Sequence, residues 1–137
     1  MDKVKILVIE DEPGISMMMV SLLTQAGCEV QTAWNAERGI GLAQAGEFDL
    51  ITLDVSLPGV NGLEICSRLK ENPFFQTPIV FVSGQLDDDE IQYVLGMGAA
   101  DYIAKPFEAT DFIFRVISCV RVKTSCESTL ATGKALA

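Results

Sequence analysis

The sequence predicts an α/β fold: a (βα)5, doubly wound, parallel five-stranded sheet with strand order 2-1-3-4-5. Two observations carry that expectation. First, four short apolar runs each end on an ionisable or hydroxyl residue. Lys5-Ile6-Leu7-Val8-Ile9 runs into Glu10-Asp11, Phe48 to Leu53 into Asp54, Ile79-Val80-Phe81-Val82 into Ser83, and Asp101-Tyr102-Ile103-Ala104 into Lys105. Runs this short and this apolar belong to strands buried on both faces. Second, helix-length amphipathic stretches separate the runs with short connections, the alternation that right-handed crossovers and a parallel sheet produce. The carboxyl ends of such strands line the ligand crevice, whose switch point falls between strands one and three. Glu10, Asp11, Asp54, Ser83 and Lys105 are therefore expected on one rim.

The elements follow in order. After Asp11, Pro13 suits the first turn of a helix. Ile15, Met19, Leu22, Leu23 and Ala26 repeat at helical spacing, and Gly27 closes the helix. Met17-Met18-Met19 reads as core and gap filler. Glu29 to Ala33 is a short second strand, and Asn35 caps a second helix that runs through about Ala45 to Gly46. The third strand stops at Asp54. Val55 to Gly62 is dense in turn formers, and a third helix then carries Leu63, Cys66 and Leu69 on one face. Asn72-Pro73 and Thr77-Pro78 bracket the loop into strand four. Asp87 caps a fourth helix with Ile91, Val94 and Leu95 facing inward, and its acid run Asp87 to Glu90 is a first turn that favours the helix dipole. Gly96 and Gly98 stop it before strand five. A fifth helix spans about Thr110 to Lys123 with Phe112, Ile113, Val116, Ile117 and Val120 as its core face. Phe114 and Val122 fall off that face. Residues 1–124 form one domain, and 125–137 read as a polar tail or the start of a linker.

Composition bounds the function. The 137 residues are 49% apolar, enough to cover a two-sided sheet without a disulfide or metal staple. A net charge of −9 argues against direct DNA or RNA binding and against anionic lipid. No apolar run approaches the ~20 residues of a membrane span, and no signal-peptide core precedes the first strand, so a cytoplasmic protein is expected. Cys28, Cys66, Cys119 and Cys126 show no CxxC spacing, and the chain holds no histidine. Zinc, redox-pair, Ser-His and Cys-His chemistries fall away with them.

The rim residues fit a divalent cation beside a phosphoryl group. Crowded carboxylates are costly unless a cation neutralises them, and magnesium takes oxygen ligands from one or two carboxylates plus a phosphate. Asp11 and Asp54 are the expected direct ligands, with Glu10 acting through water and the Ser56 backbone carbonyl supplying another oxygen. Asp54 is also the best nucleophile, since a carboxylate can attack phosphorus to give an aspartyl phosphate. Taken alone, each residue has a plainer reading: Asp54 as a turn aspartate, Lys105 as a snorkelling surface lysine, Ser83 as a turn serine, Tyr102 as a half-buried strand aromatic. Taken together, Lys105 is a point charge for phosphate and Ser83 a hydrogen-bond donor to it.

Together Glu10-Asp11, Asp54 with Leu57-Pro58-Gly59 and Asn61-Gly62, Ser83, and Ala99 to Phe107 resemble a response-regulator receiver domain, over about Val4 to Lys123. The resemblance implies the flavodoxin-like, chemotaxis-receiver fold of two-component signalling. It implies that Asp54 accepts phosphate from a sensor histidine kinase or phosphotransfer protein, with Mg2+ (or Mn2+) required. Ser83 and Tyr102 would relay the change to the face made by helix four, strand five and helix five, where Phe114 and Val122 suggest a homodimer or a partner contact. Ser56 and Gln85 stand where the family tunes phosphate lifetime, and neither is of the fast self-hydrolysing kind. Helix four and strand five lack the dense charge pairing of DNA-binding regulators that dimerise through that face, and the chain carries no recognisable output domain. The expectation is a phosphoacceptor rather than an enzyme with an external product. An aspartate-nucleophile phosphatase fails because Pro13 stands two residues after Asp11. A flavodoxin-like electron carrier fails because Asp11-Glu12-Pro13-Gly14 would repel flavin phosphate. A degenerate receiver acting only as a binding module is the remaining alternative, against which the intact site residues stand.

Overall fold

The computed structural model describes residues 3–57, 59–84 and 86–120. Five parallel strands, β1 (Lys5–Ile9), β2 (Glu29–Ala33), β3 (Leu50–Leu53), β4 (Ile79–Ser83) and β5 (Asp101–Ala104), lie in the order β2-β1-β3-β4-β5. They alternate with α1 (Pro13–Gln25), α2 (Ala36–Ala45), α3 (Gly62–Lys70), α4 (Asp88–Gly96) and α5, residues 109–120 as described. The expected fold class and strand order are both found.

The near-continuous apolar character of the strands is explained by two cores, one on each sheet face. Ile6 and Val8 of β1 join Met19 and Leu23 of α1 and Phe112, Val116 and Val120 of α5. Leu7 and Ile9 point the other way, to Ala36 of α2, Ile65, Cys66 and Leu69 of α3, and Val94 of α4. Successive strand residues point to opposite faces, so a strand buried on both sides has no interior position for a charged residue; the polar residues it does hold, Thr52 in β3 and Ser83 at the end of β4, are uncharged. That is why the ionisable residues stand at the strand ends.

Local chemistry sets the helix boundaries. Asn35 and Asn61 accept from Arg38 N–H (2.8 Å) and Glu64 N–H (3.0 Å) at the starts of α2 and α3. Asp87 and Glu90 form a reciprocal capping box at α4. Gly27, at φ 94°, provides the left-handed residue just past α1.

Several expectations need correction. Of the methionine run only Met19 is core; Met17 and Met18 are exposed, because Ser16, Met19 and Leu23 occupy the sheet-facing positions and the two methionines fall one and two residues off that face. Leu95, one residue beyond buried Val94, is likewise exposed. On α3 the face is completed by Ile65, with Leu63 only half-buried. Strand β3 begins at Leu50, not Phe48. Pro58, Gln85, Val122, Lys123, Cys126 and the tail from 125 lie outside the described residues.

Candidate functional site

Strand register assembles the site. Ile9 pairs with Leu53, so the next residues, Glu10 and Asp54, leave the sheet side by side. Backbone bonds pin them there: Asp54 N–H donates to the Ile9 carbonyl (3.2 Å) and Glu10 N–H to that of Ala33 (3.0 Å). Ser83 pairs with Ala104, and Lys105 N–H donates to the Ser83 carbonyl at 2.7 Å. The Lys105–Pro106 peptide is cis. Four strand ends thus deliver the expected residues to one rim.

Asp54 is at the centre, 4% exposed. Its Oδ1 accepts from the Ser56 backbone N–H (2.9 Å) and the Ser83 hydroxyl (2.9 Å), while Oδ2 accepts from the Lys105 ammonium (2.9 Å). Lys105 Nζ also lies 2.7 Å from Glu10 Oε1, so the one ammonium is shared between the Glu10 and Asp54 carboxylates. Glu10 Oε2 accepts from Glu12 N–H at 3.2 Å. Ligand oxygens of Glu10, Asp11 and Asp54 all fall within 4.8 Å of one another.

These contacts shift the titrations in different directions. Burial pushes the Glu10 carboxyl above its ordinary range and the negative Asp54 pushes it further, outweighing Lys105 and the Glu12 amide. Burial also works to raise Asp54, but the Ser56 amide, Lys105 and Ser83 together outweigh it and hold this carboxyl low, so it is ionised. Lys105 is drawn down by burial and up, more strongly, by Glu10 and Asp54; the ammonium is firmly protonated. One ammonium faces three carboxylates. The excess negative charge and the three clustered carboxylates, Glu10, Asp11 and Asp54, as hard oxygen donors fit a cation of the Mg2+ or Mn2+ type.

Three features were not foreseen. Ser56 enters through its amide, which closes a turn on the Asp54 carboxylate, so the turn-aspartate reading holds and the same carboxylate stands at the centre of the rim. Gly62 packs against the Asp54 backbone: a Cβ there would lie 2.2 Å from the Asp54 carbonyl oxygen. Tyr102 uses its hydroxyl as a clasp, donating to the Gly84 carbonyl (2.7 Å) and accepting from Leu86 N–H (3.1 Å). The motif Asn61-Gly62 and the half-polar Tyr102 were visible signals, but neither packing distance nor side-chain direction is written in them. Phe114 is 69% exposed, as its place off the core face suggested.

The family model for the response regulator receiver domain matches residues 6–117. The transcriptional regulatory protein YcbL of Bacillus subtilis, itself uncharacterised, is 36% identical over 118 residues, covering 86% of this chain and 51% of the relative. Response regulator ArlR of Staphylococcus aureus is 33% identical over 117 residues, covering 85% and 52%. The chain thus spans about half the length of these curated relatives. Among solved structures, chemotaxis response regulator CheY4 of Vibrio cholerae superposes with a TM-score of 0.81 at 26% identity, covering 86% of this chain and 99% of that one. The non-phosphorylated HemR receiver domain of Leptospira biflexa gives 0.78 at 28% identity, covering 86% and 94%.

Proposed function

The chain belongs to the response-regulator receiver family of two-component signalling, and from that premise we propose that it accepts a phosphoryl group on Asp54 from the phosphohistidine of a sensor kinase or phosphotransfer protein. One observation carries the reading: Ser83 Oγ and Lys105 Nζ both stand 2.9 Å from the Asp54 carboxylate, beside two further acids. In the transfer a carboxylate oxygen of Asp54 forms the new P–O bond as the donor's P–N bond breaks, and the leaving imidazole keeps the electron pair and takes up a proton. Ser83 and Lys105 move their donor hydrogens from the carboxylate to phosphoryl oxygens, whose charge they then offset. Glu10, Asp11 and Asp54, with the Ser56 carbonyl, would hold Mg2+ or Mn2+, which when bound neutralises charge on the transferring group.

The new phosphoryl charge would alter the Ser83 and Tyr102 contacts and so bias the face of α4, β5 and α5. Exposed Phe114 supports a second copy or a partner docking there; light scattering of the phosphorylated form tests it, and a monomer with no protection on α5 refutes it. The domain is a phosphoacceptor without an external product, and its net charge of −9 supports protein rather than nucleic-acid partners. Among the described residues no helix is long and apolar enough to cross a membrane. The decisive experiment is intact mass after incubation with acetyl phosphate and Mg2+. Wild type gains one phosphoryl group and Asp54→Asn gains none; equal gain in both removes Asp54 from its role, and no gain in either leaves the phosphorylation-independent binding module.

A further inference from the structure

A second surface, on the other side of α4 from β5, has a chemistry of its own. Val55 and Leu63 from the start of the α3 region and Leu86, Tyr93 and Val94 from the α4 region line an apolar groove of ≈ 220 Å³, with Asp89 and Glu90 on its lip. The volume suits one large apolar side chain. Tyr93 is 62% exposed although its ring borders an apolar hollow. The groove is also preformed: the Tyr102 hydroxyl fixes the Leu86 amide on one wall, and backbone contact between Gly62 and Val55 fixes the other, with Gly62 N–H donating to the Val55 carbonyl at 2.9 Å. A preordered pocket avoids the ordering cost of binding.

Its charge selects the occupant. The first turn of α4 carries Asp88, Asp89 and Glu90 after the capping Asp87, and the helix contains no Lys or Arg. Among the described residues none of these four acids takes part in an ion pair. Nucleic acid and anionic lipid are repelled by such a lip, and an apolar floor rejects a simple cation. We propose that this groove docks a basic peptide segment of a partner protein, one bulky apolar anchor filling the pocket and flanking Lys or Arg side chains meeting Asp89 and its neighbours. The inference does not require Asp54 to be phosphorylated.

The test uses fluorescence anisotropy with a labelled amphipathic peptide of about 14 leucine and lysine residues, and a twin in which glutamate replaces every lysine. The whole chain is used, without phosphodonor. Binding is expected for the lysine peptide only, weakened at least about tenfold by Tyr93→Ala and by Asp89→Lys. Both sites are exposed, and an unchanged urea midpoint verifies that the variants fold. Equal binding of the glutamate twin, or unaltered affinity in both variants, overturns the proposal. Because the readout is taken on unphosphorylated protein, failure here is distinct from failure of the Asp54 experiment.

Discussion

Gly62→Ala should damage both the fold and the site, and its size can be worked from the packing. An ideal Cβ at Gly62 would sit 2.2 Å from the Asp54 carbonyl oxygen, 2.9 Å from its carbonyl carbon and 3.0 Å from Val55 Cα. Carbon–oxygen contacts begin near about 3.3 Å, so the backbone must open by about 1 Å. No rotamer can relieve this, because every atom struck is main chain and Asp54 N–H is tied to the Ile9 carbonyl. Overpacking costs about 1–3 kcal/mol, and a rigid site belongs at the top of that range. Replacing glycine inside a helix returns about 0.5–1 kcal/mol. The net loss is about 2 kcal/mol, a fall in Tm of roughly 6–10 °C for a domain of this size. Two internal controls sharpen the test. Gly41→Ala, in α2 with nothing within 4 Å of its Cβ, should gain about 0.5–1 kcal/mol. Gly39→Ala meets the Ile9 side chain at 2.8 Å and should fall between the other two. Urea unfolding ranks the three, and acetyl-phosphate labelling reads the site. A Gly62→Ala protein as stable as Gly41→Ala, labelled at the wild-type rate, would refute the account.

Three further outcomes follow from the site. Lys105 is the ammonium shared by two buried carboxylates, so Lys105→Met should lose about 3 kcal/mol in metal-free buffer and recover part of it when Mg2+ is added; urea midpoints with and without the ion measure both, and a midpoint indifferent to Mg2+ would count against a cation site. Because the Glu10 carboxyl is raised when folded, it favours the folded state below its unfolded pKa near 4.5 and loses that contribution as pH rises through the folded value. Glu10→Gln should therefore be more stable than wild type at pH 7 without metal, bind Mg2+ more weakly, and lose its advantage as wild type protonates on acidification; denaturation at several pH values shows whether the sign is right. Asp54 behaves oppositely, its low folded value adding stability above an unfolded value near 3.8 that disappears as pH falls through the folded one. Tyr102→Phe removes both hydroxyl contacts to the β4–α4 connection at a cost of about 1 kcal/mol, and amide exchange at Leu86 should quicken by about fivefold while that of Leu7 stays unchanged.

The architecture was legible because buried parallel strands leave a strong mark. Ile6 to Ile9 and Ile79 to Val82 are apolar throughout, so Glu10, just past β1, and Ser83, the last residue of β4, advertise both a boundary and a rim. Asn35 and Asp87 capped their helices as their side chains dictate, whereas Asn61, read only as part of a turn, caps α3 as well. Side-chain direction was less legible. Met17, Met18 and Leu95 are apolar, but helical phase puts them off the core face, and apolar content by itself does not report phase. The Ser56 amide carries no side-chain signal, since every residue but proline has one. Gly62 follows a helix cap, where glycine has no local necessity; only the tertiary approach of Asp54 explains it. The hydroxyl of Tyr102 had several reachable partners, and the choice among them belongs to the folded loop.

One consequence of the way Asp54 is held concerns selectivity. Both of its oxygens are already engaged by donors at rest, three hydrogen bonds in all, and a lone pair so occupied is a poor attacker. On the proposed phosphoacceptor reading, an unactivated phosphate ester would offer nothing to compensate for releasing those donors. Only a reagent that presents a highly activated phosphoryl group, already oriented toward the serine and lysine, provides new acceptors as the old ones are given up. Under that reading the resting hydrogen bonds would act as a filter on who may write the signal.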